Sequence, residues 1–245
     1  MIGLTIEDYS SNTIGTKNLV EVLNIINFNG RAIFASSMYV NEPGYSPKSF
    51  EDYNPHTIYG ESKVKSEEIV KSIDKKYSWV IIRPTSIWGP WFGEPYADFF
   101  NIVLSKKYLH VGNQSCEKTY GYIENTIAQI LALLEANFEN VNGKVFYLGD
   151  SPAYDIAQWA NEIAATVPYH IVKVPFAFFK LLAFFGDLCK YFGIKFPMTS
   201  FRLKNMTTNN IHDLSPIYNI LNELPVSRLE GTEKTVHWIK KNKKK

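Results

Sequence analysis

Three side chains suited to proton transfer, Ser37, Tyr59 and Lys63, lie in one stretch of the chain. Tyr59 and Lys63 are four residues apart, so on a helix they share one face. An ammonium group beside a phenol favours the phenolate, and the phenol can then accept or return a proton near neutral pH. Ser37 closes a short apolar run, where its hydroxyl can bind the same substrate oxygen. The stretch therefore predicts a site that moves a proton to or from an alcohol or sugar hydroxyl.

A strand and two helices are needed to position these residues, and the sequence indicates all three. Tyr9–Phe28 has the apolar spacing of a helix, which ends at Asn29-Gly30. Arg31–Ala35 predicts a short buried strand, residues 41–56 are rich in turn-forming residues, and Ile58–Ile73 predicts a second helix. The charged side chains expected on the solvent side of that second helix are Glu67, Glu68, Lys71 and Lys75.

The remaining elements predict the fold class. Helices alternate with short Val- and Ile-rich strands through the first two-thirds of the chain, and this alternation indicates a parallel α/β sheet. The chain after Pro175 is almost wholly helical in pattern. We therefore expect a sheet domain over residues 1–174, with interleaved substrate-lobe segments, and a helical substrate or cap lobe over residues 175–245.

Composition excludes several classes of protein. The chain has 245 residues, of which 45% are hydrophobic and 20% charged, as in ordinary globular proteins. The net charge of +2 is too small to indicate a nucleic-acid partner. Only two cysteines occur, Cys116 and Cys189, without a Cys-x-x-Cys motif or a histidine cluster. We therefore expect no disulfide framework and no metal site, and a cytoplasmic location.

The aromatic segment Pro175–Pro197 has the length of a membrane span. Charged residues interrupt it, whereas a span needs about 20 mostly apolar residues; they are Lys180, Asp187, Lys190 and Lys195. The pattern favours two amphipathic helices that bury their aromatic faces. Weak association with a membrane surface stays open as an alternative.

Six segments resemble, in chain order, the extended short-chain dehydrogenase/reductases, in particular the NAD-dependent sugar-nucleotide epimerase/dehydratase branch. They are Asn12–Leu19 (N-x-x-G-T-x-N-L), Phe34–Tyr39 (FASSMY), Tyr59–Lys63 (Y-x-x-x-K), Arg83–Pro90 (RPTSIWGP), Tyr122–Asn125, and a C-terminal part from Asp213 to Ile239. The resemblance implies an incomplete Rossmann-type, doubly wound parallel sheet with a mostly helical C-terminal substrate lobe.

The resemblance also implies residue roles. Tyr59 would be the general acid/base, Lys63 would hold the nicotinamide ribose, and Ser37 would bind the reacting oxygen. The cofactor-binding positions implied are Asn12, Ser36, Tyr59, Lys63, Pro84 and Ile87. Lys118 matches a position where many members bind the nucleotide phosphate through arginine, and Ser86 one where sugar-nucleotide enzymes often have asparagine. Exposed lysine and helix cap remain alternative interpretations of Lys118 and Asn12.

One motif of the family is not found in this sequence. The family grips NAD or NADP through a glycine-rich turn that opens a helix, yet no two glycines here lie within three residues of each other. By analogy, about the first third of the nucleotide-binding half is missing. We expect a truncated gene, a split protein completed by a second chain, or a non-catalytic remnant. In each case this polypeptide alone should bind dinucleotide poorly.

The favoured function is that of an NAD(P)-dependent sugar-nucleotide epimerase or dehydratase. Dehydratases of the family it resembles generally carry an acidic residue soon after the active-site hydroxyl residue. Here none follows Ser37 before Glu42, so the resemblance implies an epimerase or a reductase rather than a dehydratase. Two alternatives remain: a reductase of an apolar alcohol or ketone of the steroid or flavonol type, and a remnant that only binds or dimerises. The family further implies a homodimer through the helices Tyr9–Phe28 and Ile58–Ile73, and a nucleotide-sugar substrate.

Overall fold

The computed structural model of the chain describes residues 5–72, 74, 77–94, 96–113, 115–194 and 196–242. Ile73, Lys75 and Lys195, on which parts of the sequence predictions fall, lie outside the described residues.

The helices and strands alternate through most of the chain. The α-helices are α1 Ser10–Ile25, α2 Ile58–Ser72, α3 Tyr96–Leu104, α4 Ile123–Glu135, α5 Phe138–Val141, α6 Ile156–Ala165, α7 Phe176–Tyr191, α8 Ser200–Thr207, α9 Ser215–Tyr218 and α10 Arg228–Asn242. The strands are β1 Arg31–Ala35, β2 Ser78–Pro84, β3 Ser86–Trp88, β4 His110–Val111, β5 Glu117–Lys118, β6 Tyr120–Tyr122, β7 Lys144–Leu148, β8 Tyr154–Asp155 and β9 Lys173–Val174. Short 3-10 turns cover Glu7–Tyr9 and Met38–Val40.

The chain folds into two compact units, each built from three separate stretches. Unit 1 comprises Met1–Ile87, Gly121–Ser151 and His212–Pro225. Unit 2 comprises Trp88–Tyr120, Pro152–Ile211 and Val226–Lys245.

Unit 1 is organised around a three-stranded parallel sheet in the order β1-β2-β7. Alternate residues of β2 point to opposite faces, as the period of a strand requires. Val80 and Ile82 pack in a cluster with Leu133 of α4, whereas Ile81 packs with Val20 of α1 and Val70 of α2. Helices thus cover both faces, which confirms the predicted doubly wound, parallel α/β sheet.

The edge of this sheet at β1 has no neighbouring strand among the described residues. The side chains of β1 are partly exposed, in contrast to the buried centre of β2. Arg31 at its start donates to the carbonyl oxygens of Leu133 and Leu134, at 2.5 and 2.8 Å, so the end of α4 is fixed beside this edge.

Unit 2 has an aromatic core. Trp159 of α6 lies at its centre, with ring centroids 4.9 Å from Trp88, 5.5 Å from Phe100 and 5.0 Å from Tyr120. Its indole N–H donates to the Thr232 hydroxyl of α10 at 3.0 Å, which satisfies its buried polar atom. Another cluster joins α7 to α8 through Phe179, Ala183 and Leu203.

The interpretation of Pro175–Pro197 as two helices with buried aromatic faces is wrong. One helix, α7, covers Phe176–Tyr191, and several of its large apolar side chains are exposed. None of the helices in the described part of the chain is long and apolar enough to cross a membrane.

Candidate active site

Tyr59 and Lys63 come together on α2 as their spacing predicted. The Lys63 ammonium lies 5.8 Å from the centre of the Tyr59 ring and donates to the Ala35 carbonyl oxygen at 3.0 Å. Ala35 ends β1, so this hydrogen bond fixes the lysine at the carboxyl edge of the sheet. Burial lowers the pKa of Lys63, and the charge of Glu67 partly offsets that effect. The side chain is thus a partly desolvated cation beside a phenol.

Ser37 lies in the turn that follows β1 and is almost fully buried. Its hydroxyl oxygen accepts a hydrogen bond from the Tyr39 backbone N–H at 3.2 Å and so caps the Met38–Val40 turn. The Tyr39 ring in turn lies 6.5 Å from the Tyr59 ring. Ser37 therefore lies in the turn directly after β1, and the ring of Tyr39 in the same turn lies near Tyr59.

Close contact between α2 and this turn depends on Gly60. A Cβ at position 60 would overlap the Tyr39 carbonyl oxygen and approach Pro55 to 3.1 Å. Thr57, just before α2, caps the start of the helix: its hydroxyl oxygen accepts a hydrogen bond from the Gly60 backbone N–H at 3.0 Å. Glycine here lets the helix that carries Tyr59 reach the turn that carries Ser37.

Asn12 links the first helix to the second. Its amide donates to the Ser62 hydroxyl at 2.9 Å, and its carbonyl oxygen accepts from Ser66. Ser62 donates to the Tyr59 carbonyl oxygen at 2.7 Å, one turn back along α2. Asn12 is thus placed to position α2, and the cofactor role implied for it stays a prediction.

Ser36 belongs to a buried charged network that the sequence did not predict. Its hydroxyl donates to Glu67 at 2.6 Å, and Glu67 accepts two further bonds at 2.8 Å from Nε and Nη2 of Arg83. Arg83 is 0% exposed and Glu67 1%, so the expectation that Glu67 faces solvent is wrong. Tyr53 also donates to Glu67, at 2.8 Å. Burial tends to lower the pKa of Arg83, but the hydrogen bonds and charge of Glu67 raise it above its ordinary value.

The residues after β2 line the neighbouring part of the same edge. Pro84 is half-buried and is paired with Leu148 of β7. Ser86 is buried, and its hydroxyl lies 4.0 Å from the Met38 sulfur, next to Ser37 in the chain. Ile87 is half-buried. Its Cδ1 lies so close to Gly121 that a Cβ at position 121 would be only 2.8 Å from it. The binding roles implied for these three residues stay predictions.

Lys118 does not lie in this unit. It belongs to β5 in unit 2, where it borders a cavity of about 700 Å³ whose wall is largely aromatic and apolar. Its ammonium donates to the Asn205 carbonyl oxygen at 2.5 Å, and burial lowers its pKa. His110 borders the same cavity; its Nε2 pairs with the Asn161 side-chain oxygen at 2.9 Å, and its buried Nδ1 has no partner among the described residues.

These residues match only one end of a dinucleotide. The Tyr59–Lys63 pair at the carboxyl edge suits the ribose role that the family implies. A pyrophosphate cradle needs a glycine-rich turn between a strand and a helix, and no strand precedes α1 in the part of the chain that the structure describes. Within that same part, no cluster of three or more His, Cys, Asp or Glu side chains is arranged to hold a metal ion.

Comparison with known proteins settles the family. The profile of the NAD dependent epimerase/dehydratase family matches residues 4–149, which is more than half of the chain. The chain belongs to this family. The family assignment made from the six ordered sequence segments is therefore confirmed. The prediction that this is a family of NAD-dependent enzymes of the epimerase type is confirmed as well.

Curated relatives extend the match into the C-terminal part. An N-acetyl-α-D-glucosaminyl-diphospho-ditrans,octacis-undecaprenol 4-epimerase from Escherichia coli O157:H7 is 25% identical over 242 residues, covering 94% of this chain and 71% of the relative. A UDP-glucose 4-epimerase from Vibrio cholerae is 29% identical over 185 residues, covering 72% of this chain and 55% of the relative.

Solved structures support the fold. The UDP-glucuronic acid 4-epimerase from Bacillus cereus, in complex with UDP-glucuronic acid and NAD, gives a TM-score of 0.70 at 19% identity, covering 98% of this chain and 71% of that protein. RMD from Pseudomonas aeruginosa, complexed with NADPH, gives a TM-score of 0.64 at 16% identity, covering 93% and 72%. At these identities the likeness establishes the Rossmann-type fold.

Proposed function

We propose that this chain carries the proton-transfer site of a sugar-nucleotide 4-epimerase, with Tyr59 as the general acid/base. The observation that carries the proposal is the Lys63 ammonium beside the Tyr59 ring, held there by the Ala35 carbonyl oxygen. To take a proton from a sugar hydroxyl, Tyr59 must start as the phenolate and become the phenol, and a fixed cation nearby stabilises that starting phenolate. Ser37, in the turn after β1, would bind the same hydroxyl oxygen and orient it.

The cofactor expected from the family is NAD or NADP, which accepts a hydride from the sugar carbon when bound. This chain's own part is to hold the hydroxyl proton at the Tyr59 oxygen and return it. Because the glycine-rich turn is lacking, we propose that dinucleotide affinity is weaker than micromolar for this polypeptide alone. Calorimetric titration with NAD and NADP measures it, and a micromolar Kd would show the reasoning to be wrong.

We also propose that the cavity of unit 2 binds a nucleoside diphosphate, where Lys118 supplies a cation for a phosphate. Its aromatic side chains give stacking surfaces. The buried Nδ1 of His110, which has no hydrogen-bond partner within the described part of the chain, offers a further polar contact. Saturation-transfer NMR with UDP tests this assignment. Lys118→Ala should weaken UDP binding by about tenfold, as expected for a lost charged hydrogen bond.

Turnover should be assayed with millimolar NAD, which compensates for weak binding, and with UDP-glucose, UDP-N-acetylglucosamine and UDP-glucuronic acid in parallel. Tyr59→Phe removes the proton carrier and should lower turnover by about 100-fold or more. Tyr39→Phe is the matched control, since it keeps the ring beside Tyr59. An apolar ketone with NADPH tests the reductase alternative. No turnover of any substrate, or equal turnover by Tyr59→Phe, would favour the non-catalytic remnant.

We also propose two protein partners. A second copy would dock on α1 and α2, because Leu19 and Val22 of α1, and Ile26 directly after it, are each 49–61% exposed. A second chain with an apolar strand would extend the sheet at β1, where Ile127, Leu131 and Leu134 of α4 are also left exposed. Light scattering of Val22→Glu tests the first: a dimer should become a monomer.

A further inference from the structure

His110 is a polar residue at a position that suits an apolar one. It begins β4, stands between Leu109 and Val111 in the chain, and is only 5% exposed. Its buried Nδ1 has no hydrogen-bond partner within the described part of the chain. A buried polar atom without a partner costs free energy, and an apolar ring at the same place would avoid that cost. Packing alone therefore gives no reason for histidine at this position.

The other ring nitrogen of His110 holds a side chain at the border of the cavity in unit 2. Nε2 lies 2.9 Å from the side-chain oxygen of Asn161 on α6. An amide oxygen can only accept, so Nε2 carries the hydrogen and the histidine donates. Asn161 is exposed and borders the cavity of about 700 Å³. The buried histidine thus acts on the cavity through Asn161.

This hydrogen bond decides which end of the Asn161 amide a ligand can meet. A free asparagine side chain offers one oxygen acceptor and two N–H donors, and it can turn to present either end. Here His110 occupies the oxygen, and the side chain makes no other hydrogen bond within the described residues. The amide therefore presents its N–H donors, and a ligand atom that pairs with it has to be an acceptor.

The wall near this pair suits a flat aromatic group. The Tyr108 ring lies edge-on to the His110 ring, with centroids 5.6 Å apart and an interplanar angle of 86°. The Phe99 ring lies 5.5 Å from that of Tyr108 and 5.1 Å from that of Trp159, and all four residues border the cavity. Aromatic side chains hold nucleobases by stacking, which differs little from base to base. Discrimination between bases then has to come from hydrogen bonds.

We propose that Asn161, oriented by His110, donates to a ring carbonyl oxygen of the base, so that the cavity selects a keto pyrimidine over an amino pyrimidine. Uracil carries an oxygen at C4, whereas cytosine carries an amino group there, which would face the amide donor to donor. The inference rests on the nucleoside diphosphate site proposed for this cavity. Asn161 is the specificity-determining residue, and His110 is a positioning residue that acts through it.

Calorimetric titration of the full chain with UDP and CDP measures this selection. The wild type should bind UDP at least about tenfold more tightly than CDP, because CDP leaves donors facing each other without partners. Asn161→Asp replaces the donors by an acceptor and should lower this ratio to about threefold or less. Gln158→Ala changes an exposed residue of the same helix that does not border the cavity, and this matched control should keep the wild-type ratio.

His110→Phe tests the positioning role. Phenylalanine keeps a ring of similar size but cannot hold the Asn161 oxygen, so the amide is free to turn and accept from the cytosine amino group. Tighter CDP binding should bring the ratio to about threefold or less. The melting temperature should stay equal or rise, because a buried atom without a partner is removed. A lower melting temperature with an unchanged ratio would mean that His110 is merely structural, and the proposal would be wrong.

Lys118→Ala separates this inference from the site on which it rests. It should weaken UDP and CDP binding equally, since both carry the diphosphate. If the wild type binds neither nucleotide, the nucleoside diphosphate site is wrong, and this inference with it. If UDP binding depends on Lys118 but the wild type shows no preference, or Asn161→Asp and His110→Phe keep it, only this inference is overturned. Equal loss of UDP and CDP affinity in Asn161→Asp also overturns it, because Asn161 would then contact the ribose or a phosphate.

Discussion

Removal of the buried charge of Glu67 gives the sharpest test of how unit 1 is held together. Glu67→Gln keeps the shape of the side chain but places an amide nitrogen where the carboxylate accepts from Arg83, Ser36 and Tyr53. Arg83 is 0% exposed, so its cation has no water to replace the lost partner. Loss of one member of a buried pair costs about 3–5 kcal/mol. That is a large part of the roughly 5–15 kcal/mol by which a protein is stable.

Urea unfolding followed by circular dichroism measures the effect. With an m-value of about 1–3 kcal/mol per molar urea, a loss of about 3–5 kcal/mol should lower the unfolding midpoint by roughly 1–5 M. Hydrogen exchange of peptides from α2 and β2 should rise in the same variant, because the ion pair joins these two elements. Glu68→Gln, the neighbouring and exposed residue, is the matched control and should shift stability by less than about 0.5 kcal/mol.

A double variant separates charge from packing. Glu67→Met with Arg83→Met removes both charges and leaves apolar volume, and this should cost less than the sum of the two single changes. An unfolding midpoint of Glu67→Gln equal to that of Glu68→Gln would refute the reasoning. So would a double variant at or above the sum, because the two residues would then contribute independently.

Two further changes test local features of unit 1. Gly60→Ala should destabilise by about 1–3 kcal/mol, since its Cβ overlaps the Tyr39 carbonyl oxygen; Gly15→Ala on α1, with no atom within 4 Å, should stabilise by about 0.5–1 kcal/mol, and thermal melting compares them. His212 lies stacked on Tyr147, and burial, with the Arg83 charge, lowers its pKa from 6.5 to about 4. The unfolded chain therefore binds the proton first as pH falls, and stability should drop by roughly 2–3 kcal/mol between pH 6.5 and 4. His212→Gln should flatten this slope in urea titrations at several pH values; an unchanged slope would contradict it.

The strands and the proton-transfer pair could be predicted because their signals are local. Arg31–Ala35 is a short apolar run that ends before turn residues, and it forms a strand with the predicted limits. Tyr59 and Lys63 share a face through helix geometry alone. The hydrogen bond from Lys63 to the Ala35 carbonyl oxygen holds this pair at one edge of the sheet. It joins residues that are distant in the chain, so it could not be predicted from residue spacing.

The burial of Glu67 was missed although a signal was present. Glu67 lies four residues after Lys63 and continues the Tyr59–Lys63 stripe on α2, so it shares their inward face. A charged residue on such a face needs a partner, and Arg83 at the end of an apolar strand was the candidate. The prediction that Glu67 faces solvent rested on its charge alone.

The apolar surface of α7 was missed for the opposite reason. Its many phenylalanines predicted burial, because aromatic residues usually fill cores. Phe179 is buried, whereas Phe184 is 64% exposed, because α8 packs against the inner side of α7. Composition shows how many apolar side chains the segment has, but not how much surface of neighbouring elements is available to bury them.

The interleaving of the two units has a consequence for folding during synthesis. Leu214 and Ile217 complete the cluster around Val80 and Ile82, although more than 120 residues separate them along the chain. The core around the sheet of unit 1 therefore stays incomplete until this late segment has been made. The core of unit 2 stays incomplete until α10 supplies the Thr232 hydroxyl to Trp159. Unit 1 therefore cannot be completed before Ile217 has been made, or unit 2 before Thr232, so the nascent chain exposes apolar surface until then and should depend on chaperones.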